Sequence, residues 1–578
     1  MSILPASTTS CRRAPPPVTA TATCPLSTFD SGPHTVDAML DALLPDLLRA
    51  RAAEDGEREF FRSVGGRPVT YAEAYGSACA VANGLVSLNV SHGECVVIMA
   101  GNSSESIATW LGTSLAGAVE VAINTGYRGH SLEHVLQNSQ ARVMFIEEAL
   151  VPRVIEIRDS LTHLEIVVVY RDDDGPVTTT VPGTRTVAYQ DILGARDHAP
   201  DRPVAPHDIA SVIYTSGTTG PAKGVMMPHG QVRLFSRLGV EGARMTADDA
   251  FYCFIPLFHV AGKFIGIMGS MMVAGRVVLD TQFEVDEFLA RARENDCTIA
   301  LLHGPLVEML HQQPVRPDDA ENPITRIMAS PFPAGIALEF QERFGIRGIE
   351  TWGMTEVTIP IWQPFDEPLR IGSCGRLRGE HFELRIVDPD TDEEVATGVT
   401  GEMVLRPRRP FTMMQGYLHM PEVTLAAWRN LWFHTGDLAY IADDGYVYFV
   451  DRLKERIRRR AENISSYEIE YAALASPGVV ECAAVGVASE FDGDDDVLLC
   501  VVPSPGLTLD PEALIVDLAR RLPHFMVPRY VRVLDQLPRT PNGKPQKVAL
   551  RNEGVTPDTW DRRAAGVSLR QLITGAQS

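Results

Sequence analysis

Tyr214-Thr-Ser-Gly-Thr-Thr-Gly-Pro-Ala-Lys-Gly-Val225 brings four Ser/Thr hydroxyls, three glycines and one lysine into twelve residues. Such a segment is suited to hold phosphate. Glycines let the backbone turn tightly and aim N–H groups at an anion, the hydroxyls donate hydrogen bonds, and Lys223 adds a mobile positive charge. The preceding Ile209-Ala-Ser-Val-Ile-Tyr214 reads as a short buried strand. The loop is therefore expected at the carboxyl end of a strand, where open α/β sheets place their ligands. Two other phosphate loops are excluded by spacing. A Walker loop ends in Gly-Lys-Ser/Thr, but Ala222 precedes Lys223 and Gly224 follows it; Gly217, Gly220 and Gly224 do not fit G-x-G-x-x-G either. Standing alone, the segment would also suit a flexible surface loop.

Outward from this stretch, residues 1–35 are rich in Pro, Ser, Thr and Ala without sustained periodicity and read as a disordered arm. From Asp37 to Arg49 the apolar spacing is helical, with Pro45 a break or kink. Short apolar runs such as Cys95–Ala100 and Val143–Ile146 then alternate with helical stretches, which favours parallel sheets covered by helices. Val447–Val450 reads as a strand, and the charged run from Asp451 to Arg460 as a linker. Val479–Val487 and Leu498–Pro503 are strand-like, with an amphipathic helix near Glu512 to Arg521. The expected fold is α/β: a large multi-subdomain N-terminal region with mostly parallel sheets over 36–450, a linker over 451–455, a small α+β domain over 456–552 and a tail over 553–578.

Composition narrows the partners. The 578 residues carry 52 basic and 74 acidic side chains, a net charge of −22, which opposes binding to nucleic acid or an anionic membrane over most of the surface. Nine cysteines show no paired spacing, which argues for reduced thiols in the cytoplasm and against a disulfide framework or a zinc site. The apolar window Phe264 to Gly275 is far short of the ~20 residues of a membrane span and reads as a core helix. Arg12-Arg13 is followed by Ala-Pro-Pro-Pro where an export signal needs an apolar run. Oligomeric state is not legible.

Five further motifs follow in order: Pro256-Leu-Phe-His259, Thr351-Trp-Gly-Met-Thr-Glu356, Thr435-Gly-Asp437, Asp451-Arg-Leu-Lys454 and Pro538-Arg-Thr-Pro-Asn-Gly-Lys544. Together with the 214–225 loop they resemble the signature set of the adenylate-forming superfamily, which includes acyl-CoA and aryl-CoA ligases, luciferases and the adenylation domains of peptide synthetases. The resemblance implies that a carboxylate attacks the α-phosphorus of ATP, pyrophosphate leaves, and the acyl-adenylate passes its acyl group to CoA. Positioning and electrostatics would supply most of the catalysis.

The resemblance also implies roles. Thr215, Ser216, Gly217, Thr218, Thr219, Gly220 and Lys223 would cradle phosphate. Glu356 would ligate Mg2+, since a hard cation held mainly by phosphates needs only one or two protein carboxylates, and Thr355 would donate to the α-phosphate. Trp352, beside Gly353 and where the family commonly has Tyr, would wall the adenine by stacking. Asp437 would accept the ribose hydroxyls, Arg452 would reach ribose or phosphate, and Lys454 would be the hinge about which the small domain rotates. Lys544 would enter from that domain to bridge the acid carboxylate and phosphate. The plain alternatives are a solvated surface Glu356, a core Trp352, a turn residue at Asp437 and an exposed loop lysine at Lys544. Lys547 reads as a surface or nucleotide-rim charge, and Asp492 to Asp496 as an exposed turn without the ligand spacing of a calcium loop.

His259, Lys263 and Ser330 are the substrate-side candidates, with Lys263 either meeting a polar acid or capping the next helix at the surface. Pro331 and Phe332 suggest a bulky-walled pocket for a small or aromatic acid. Ala461 stands where CoA-ligase relatives usually carry Gly beside the thiol tunnel. Positive φ there would cost alanine about 1–2 kcal/mol. That departure leaves other readings open: nitrite activation for diazotisation of an aromatic amine, loading of a free-standing carrier protein, or a non-catalytic nucleotide-binding regulator.

Overall fold

A computed structural model describes residues 36–171, 177–215, 222–453, 457–459, 462–464, 466–489, 495–522, 526–539 and 545–568. Two large sheets dominate it. Eight strands form one, and within it Cys95–Met99, Val119–Ala122, Val143–Glu147, Ile166–Tyr170, Arg185–Ala188 and Ile209–Thr215 run parallel. These strands are apolar at consecutive positions because both faces are covered: Val96 and Ile98 join one core, Val97 and Met99 another. Against one face lies the helix Ser104–Leu115, capped by Ser103 through its side-chain bond to the Ser106 amide and buried at every position from Ser106 onward.

The second sheet has thirteen strands and changes character along its width. Strands Ala250–Cys253, Arg276–Leu279, Ile299–His303, Arg326–Ser330 and Arg347–Met354 pair in parallel, whereas everything from Thr358–Trp362 onward pairs antiparallel. The expected mostly parallel arrangement thus holds for only part of this sheet. Where the connection is short, from Met354 to Thr358 and from Ile441 to Tyr446, an antiparallel return is the only choice, because parallel strands need a long crossover. Pro45 does not kink one helix but opens a second, Leu44–Glu54, after Val36–Asp41.

The chain's last part forms a four-stranded sheet of Val479–Ala488, Asp495–Pro503, Tyr530–Val533 and Trp560–Asp561, with Ser466–Leu474 and Pro511–Arg521 packed on one face. Two boundaries differ from the sequence reading. Strand Tyr446–Arg452 of the thirteen-stranded sheet runs through Asp451 and Arg452, and Trp560–Asp561 with buried Arg562 adds to the small sheet a stretch read as tail. A two-residue strand carries too little alternation to be visible as a pattern. Asp496 is not in an exposed turn either: it is buried against Arg529 at 2.8 Å.

Candidate active site

The phosphate-type loop is the connection of a hairpin. Strand Ile209–Thr215 returns as Lys223–Pro228 with Thr215 opposite Lys223, and helix His229–Ala243 starts only after the return strand. The loop does leave the carboxyl end of a strand in a parallel sheet, but no helix N-terminus backs it directly. Anion binding would therefore fall to loop amides, hydroxyls and Lys223. Ser216, Gly217, Thr218, Thr219 and Gly220 lie outside the described residues. Lys223 sits with its Nζ 4.9 Å from the centroid of the Tyr417 ring.

Glu356 sits within a tight turn that joins two strands. A side chain on Gly353 would meet the Thr358 carbonyl oxygen at 2.3 Å, so only glycine lets strand Arg347–Met354 approach Thr358–Trp362 this closely. The carbonyls of Thr355 and Glu356 both accept from Gln231 Nε2, at 2.8 and 3.1 Å. The Glu356 side chain is buried, and its Oε1 accepts from the Tyr417 hydroxyl at 3.0 Å. Burial raises its pKa above the ordinary carboxylate value, opposed by hydrogen bonding and by the charges of Arg452 and Lys223. One buried carboxylate near Lys223 fits a Mg2+ ion whose remaining ligands come from phosphate and water.

A second cluster forms where two antiparallel strands face each other. Asp437 on Phe433–Ile441 lies opposite Arg452 on Tyr446–Arg452. Arg452 Nε is 2.7 Å from Asp437 Oδ1, and Trp352 Nε1–H donates to Oδ2 at 2.9 Å. Asp437 is enclosed while about half of the Arg452 side chain, 49%, is exposed. Gly436 has φ +72°, a left-handed value that favours glycine, and its N–H donates to Glu402 Oε1 at 3.1 Å. Thr435 Oγ1 donates to the Met403 carbonyl and accepts from the Asp437 amide. Asp437 is thus held by a strand pair rather than lying in a loose turn. Trp352 is buried and engages the carboxylate through its N–H edge, beyond the stacking surface expected of it.

The acid-side candidates diverge. His259 is half-buried with its ring 4.8 Å from that of Phe258. Lys263 belongs to the buried π-helix Ala261–Met268, a rare form that often marks functional sites. It is not a surface cap: its Nζ donates to Glu120, which also accepts from Ser211 Oγ at 2.7 Å, and it lies 5.4 Å from the Trp110 ring centroid. Burial pulls its pKa below the usual lysine value, opposed by Glu120. A cavity of about 10 Å³ beside the pair, touched by Ser106, Leu257 and Phe258, is at the lower limit for one water. Ser330 is exposed at a strand end. Phe332, expected as a pocket wall, is buried edge-to-face against Phe340, because a core site removes its whole ring from water.

Lys544, Lys454 and Ala461 lie outside the described residues. Lys547 is not a rim charge. It bonds Ser466 Oγ at 2.7 Å and pairs with Glu470 at 2.8 Å, while the Ser466 N–H and hydroxyl both donate to buried Asp451. Sequence reasoning passed over Tyr417, Gln231 and Glu120. Only Glu120, a carboxylate inside the apolar run Val119-Glu-Val-Ala122, stands out unaided.

Comparisons with known proteins bear on this arrangement. The profile of AMP-binding enzymes matches residues 48–418, and that of the AMP-binding enzyme C-terminal domain matches 468–544. The chain belongs to the AMP-binding enzyme family. Indoleacetate–CoA ligase of Aromatoleum aromaticum is 30% identical over 493 residues, 84% of this chain and 93% of that protein. Feruloyl-CoA synthase of an Amycolatopsis species is 29% identical over 491 residues, 84% and 94% of the two chains. The crystal structure of ATP-bound MatB from Rhodopseudomonas palustris superposes with a TM-score of 0.76 at 26% identity, covering 88% of this chain and 98% of that one. This AMP-binding enzyme is an adenylate-forming ligase. Among the described residues no helix is long and apolar enough to cross a membrane.

Proposed function

We propose that this enzyme activates an aromatic or other small monocarboxylic acid as its adenylate and transfers the acyl group to CoA. The observation that carries this reading is the convergence of Trp352, Asp437 and Arg452 in one hydrogen-bonded cluster. In it, Asp437 accepts the ribose hydroxyls, with its rotamer held by Trp352. Arg452, half in solvent, turns from the carboxylate toward the nucleotide. Lys223 and the loop before it hold the phosphates, and Glu356 holds Mg2+, which screens the phosphate charge when bound. Lys544 meets the acid carboxylate from the small domain, and Lys454 serves as the hinge.

The acid class rests on Lys263. Its charge is taken up by Glu120, so it offers little to a second carboxylate on the substrate. The half-buried ring of His259 and its neighbour Phe258 suit a neutral, flat acid body. The names of the two ligases compared above, for indoleacetate and feruloyl substrates, agree with that choice.

The test is product mass after incubation with ATP, Mg2+ and a panel of aromatic, small aliphatic and dicarboxylic acids, with and without CoA. Aryl-CoA formation with AMP release is expected. A product formed only with nitrite and an aromatic amine, or acyl transfer only to a carrier protein, would overturn the CoA reading. Preference for dicarboxylates would overturn the acid class.

A further inference from the structure

Tyr417 stands between the two charged groups assigned to phosphate and metal, and touches both. It lies on the two-residue strand Gly416–Tyr417, which pairs antiparallel with Met226 and Val225. Tyr417 is opposite Val225, and Lys223 is two residues earlier on that same strand. Side chains at i and i+2 share a face, so the register brings the ring diagonally across to Lys223. The Nζ then lies 4.9 Å from the ring centroid, within cation–π range. The other end of the ring is fixed: the phenol O–H donates to Glu356 Oε1 at 3.0 Å. The backbone around it is fixed too. The Tyr417 amide donates to Thr424 Oγ1 at 2.9 Å, and the Met414 amide donates to the Glu356 carbonyl at 2.9 Å. One rigid ring thus joins the return strand of the phosphate hairpin to the segment carrying Glu356.

We propose that Tyr417 is a positioning residue that sets Lys223 and Glu356 at a fixed separation, its face seating the lysine and its hydroxyl orienting the carboxylate. The inference rests on the roles given above to Lys223 and Glu356. Because face and hydroxyl act on different partners, they are separable by mutation. Tyr417→Phe removes only the hydroxyl; Tyr417→Leu removes both.

The experiment is calorimetric titration of the full chain with ATP, once in EDTA and once in Mg2+, for wild type, Tyr417→Phe, Tyr417→Leu and Glu356→Gln. For Tyr417→Phe, ATP affinity in EDTA is expected to stay within about twofold, while the gain on adding Mg2+ shrinks by about tenfold, in line with a hydrogen bond to a charged group. For Tyr417→Leu, affinity in EDTA is expected to fall by roughly three- to fivefold as well. The inference is overturned if Tyr417→Phe keeps the full Mg2+ gain. It is also overturned if both quantities fall in parallel in both variants, as general loosening would cause. Should the leucine variant fail to fold, the phenylalanine variant decides alone. Glu356→Gln separates the levels: a full Mg2+ gain there removes the metal role of Glu356 itself. Loss of the gain in Glu356→Gln but not in Tyr417→Phe removes only the role of Tyr417.

Discussion

The wall behind His259 and the hairpin beneath Asp437 each rest on a carboxylate paired with a cation, yet they leave different things for a ligand. In Glu120–Lys263 both side chains are almost wholly enclosed, at 3% and 2% exposure, and Ser211 and Trp110 occupy further faces of the pair. In Asp437–Arg452 the carboxylate is enclosed at 2% but the guanidinium is 49% exposed. A closed pair is saturated and behaves as core. A half-open one keeps a strong donor in water, able to turn toward an anion while the enclosed carboxylate of Asp437 retains the Trp352 N–H. A charge in a candidate active-site region therefore becomes informative only once its partner and its exposure are known.

The largest expected effect breaks the closed pair. Lys263→Met strands Glu120 in the core and should cost about 3–5 kcal/mol of folding stability, read by urea denaturation. The double variant Glu120→Gln/Lys263→Met should recover most of that loss. A single variant as stable as wild type would show that the pair is not closed in solution. Asp437→Asn comes next and tests the open pair. No buried cation is stranded, so stability should change little, while ATP affinity by calorimetry should fall by roughly 10- to 100-fold, the worth of hydrogen bonds to a charged acceptor. Equal losses of stability and affinity would place Asp437 with Glu120 as core.

A smaller effect is expected of Arg452→Lys, which keeps the charge but loses the planar fork. ATP affinity should drop by about 1 kcal/mol, roughly fivefold, with the folding midpoint unmoved. The smallest concerns Glu350, on the strand that carries Trp352. Burial holds its carboxyl well above the usual range, so the folded chain keeps a proton that the unfolded chain releases. That contribution to stability is complete below the unfolded pKa and is lost as pH rises toward the folded value. Stability of Glu350→Gln should consequently fall less steeply than wild type as pH rises above the ordinary carboxylate range. An unchanged slope would mean that Glu350 is ionised in the folded chain.

Local sequence was legible where neighbours in the chain are neighbours in space. The strand before the phosphate-type loop, the core helix after Lys263, and the small domain's two long strands and helix all follow from short-range patterns. That the loop returns as a strand was not legible, because Lys223–Pro228 is too short and too mixed to show a period. The partners that decide the chemistry were hidden for a different reason. Glu120 lies 143 residues from Lys263 and Tyr417 lies 61 from Glu356, and no local pattern reports such pairings. Phe332 misled because an aromatic residue beside a candidate site has an equally good use facing the core. Asp437 and Arg452 were each visible as motif residues, but only strand register shows that they face one another.

Asp451 and Arg452 are successive residues of one strand, so their side chains leave its opposite faces. On one face Arg452 meets Asp437; on the other Asp451 accepts the Ser466 N–H and hydroxyl, and Ser466 opens a helix of the small domain's core. On the role proposed for Arg452, the strand is a two-sided gauge, with nucleotide read on one side and the Ser466 contact of the small domain on the other. Both readings bear on a single peptide plane. Linkage makes such an influence mutual: whatever factor an occupant near Arg452 applies to the contact at Ser466, that contact returns to the occupant's affinity.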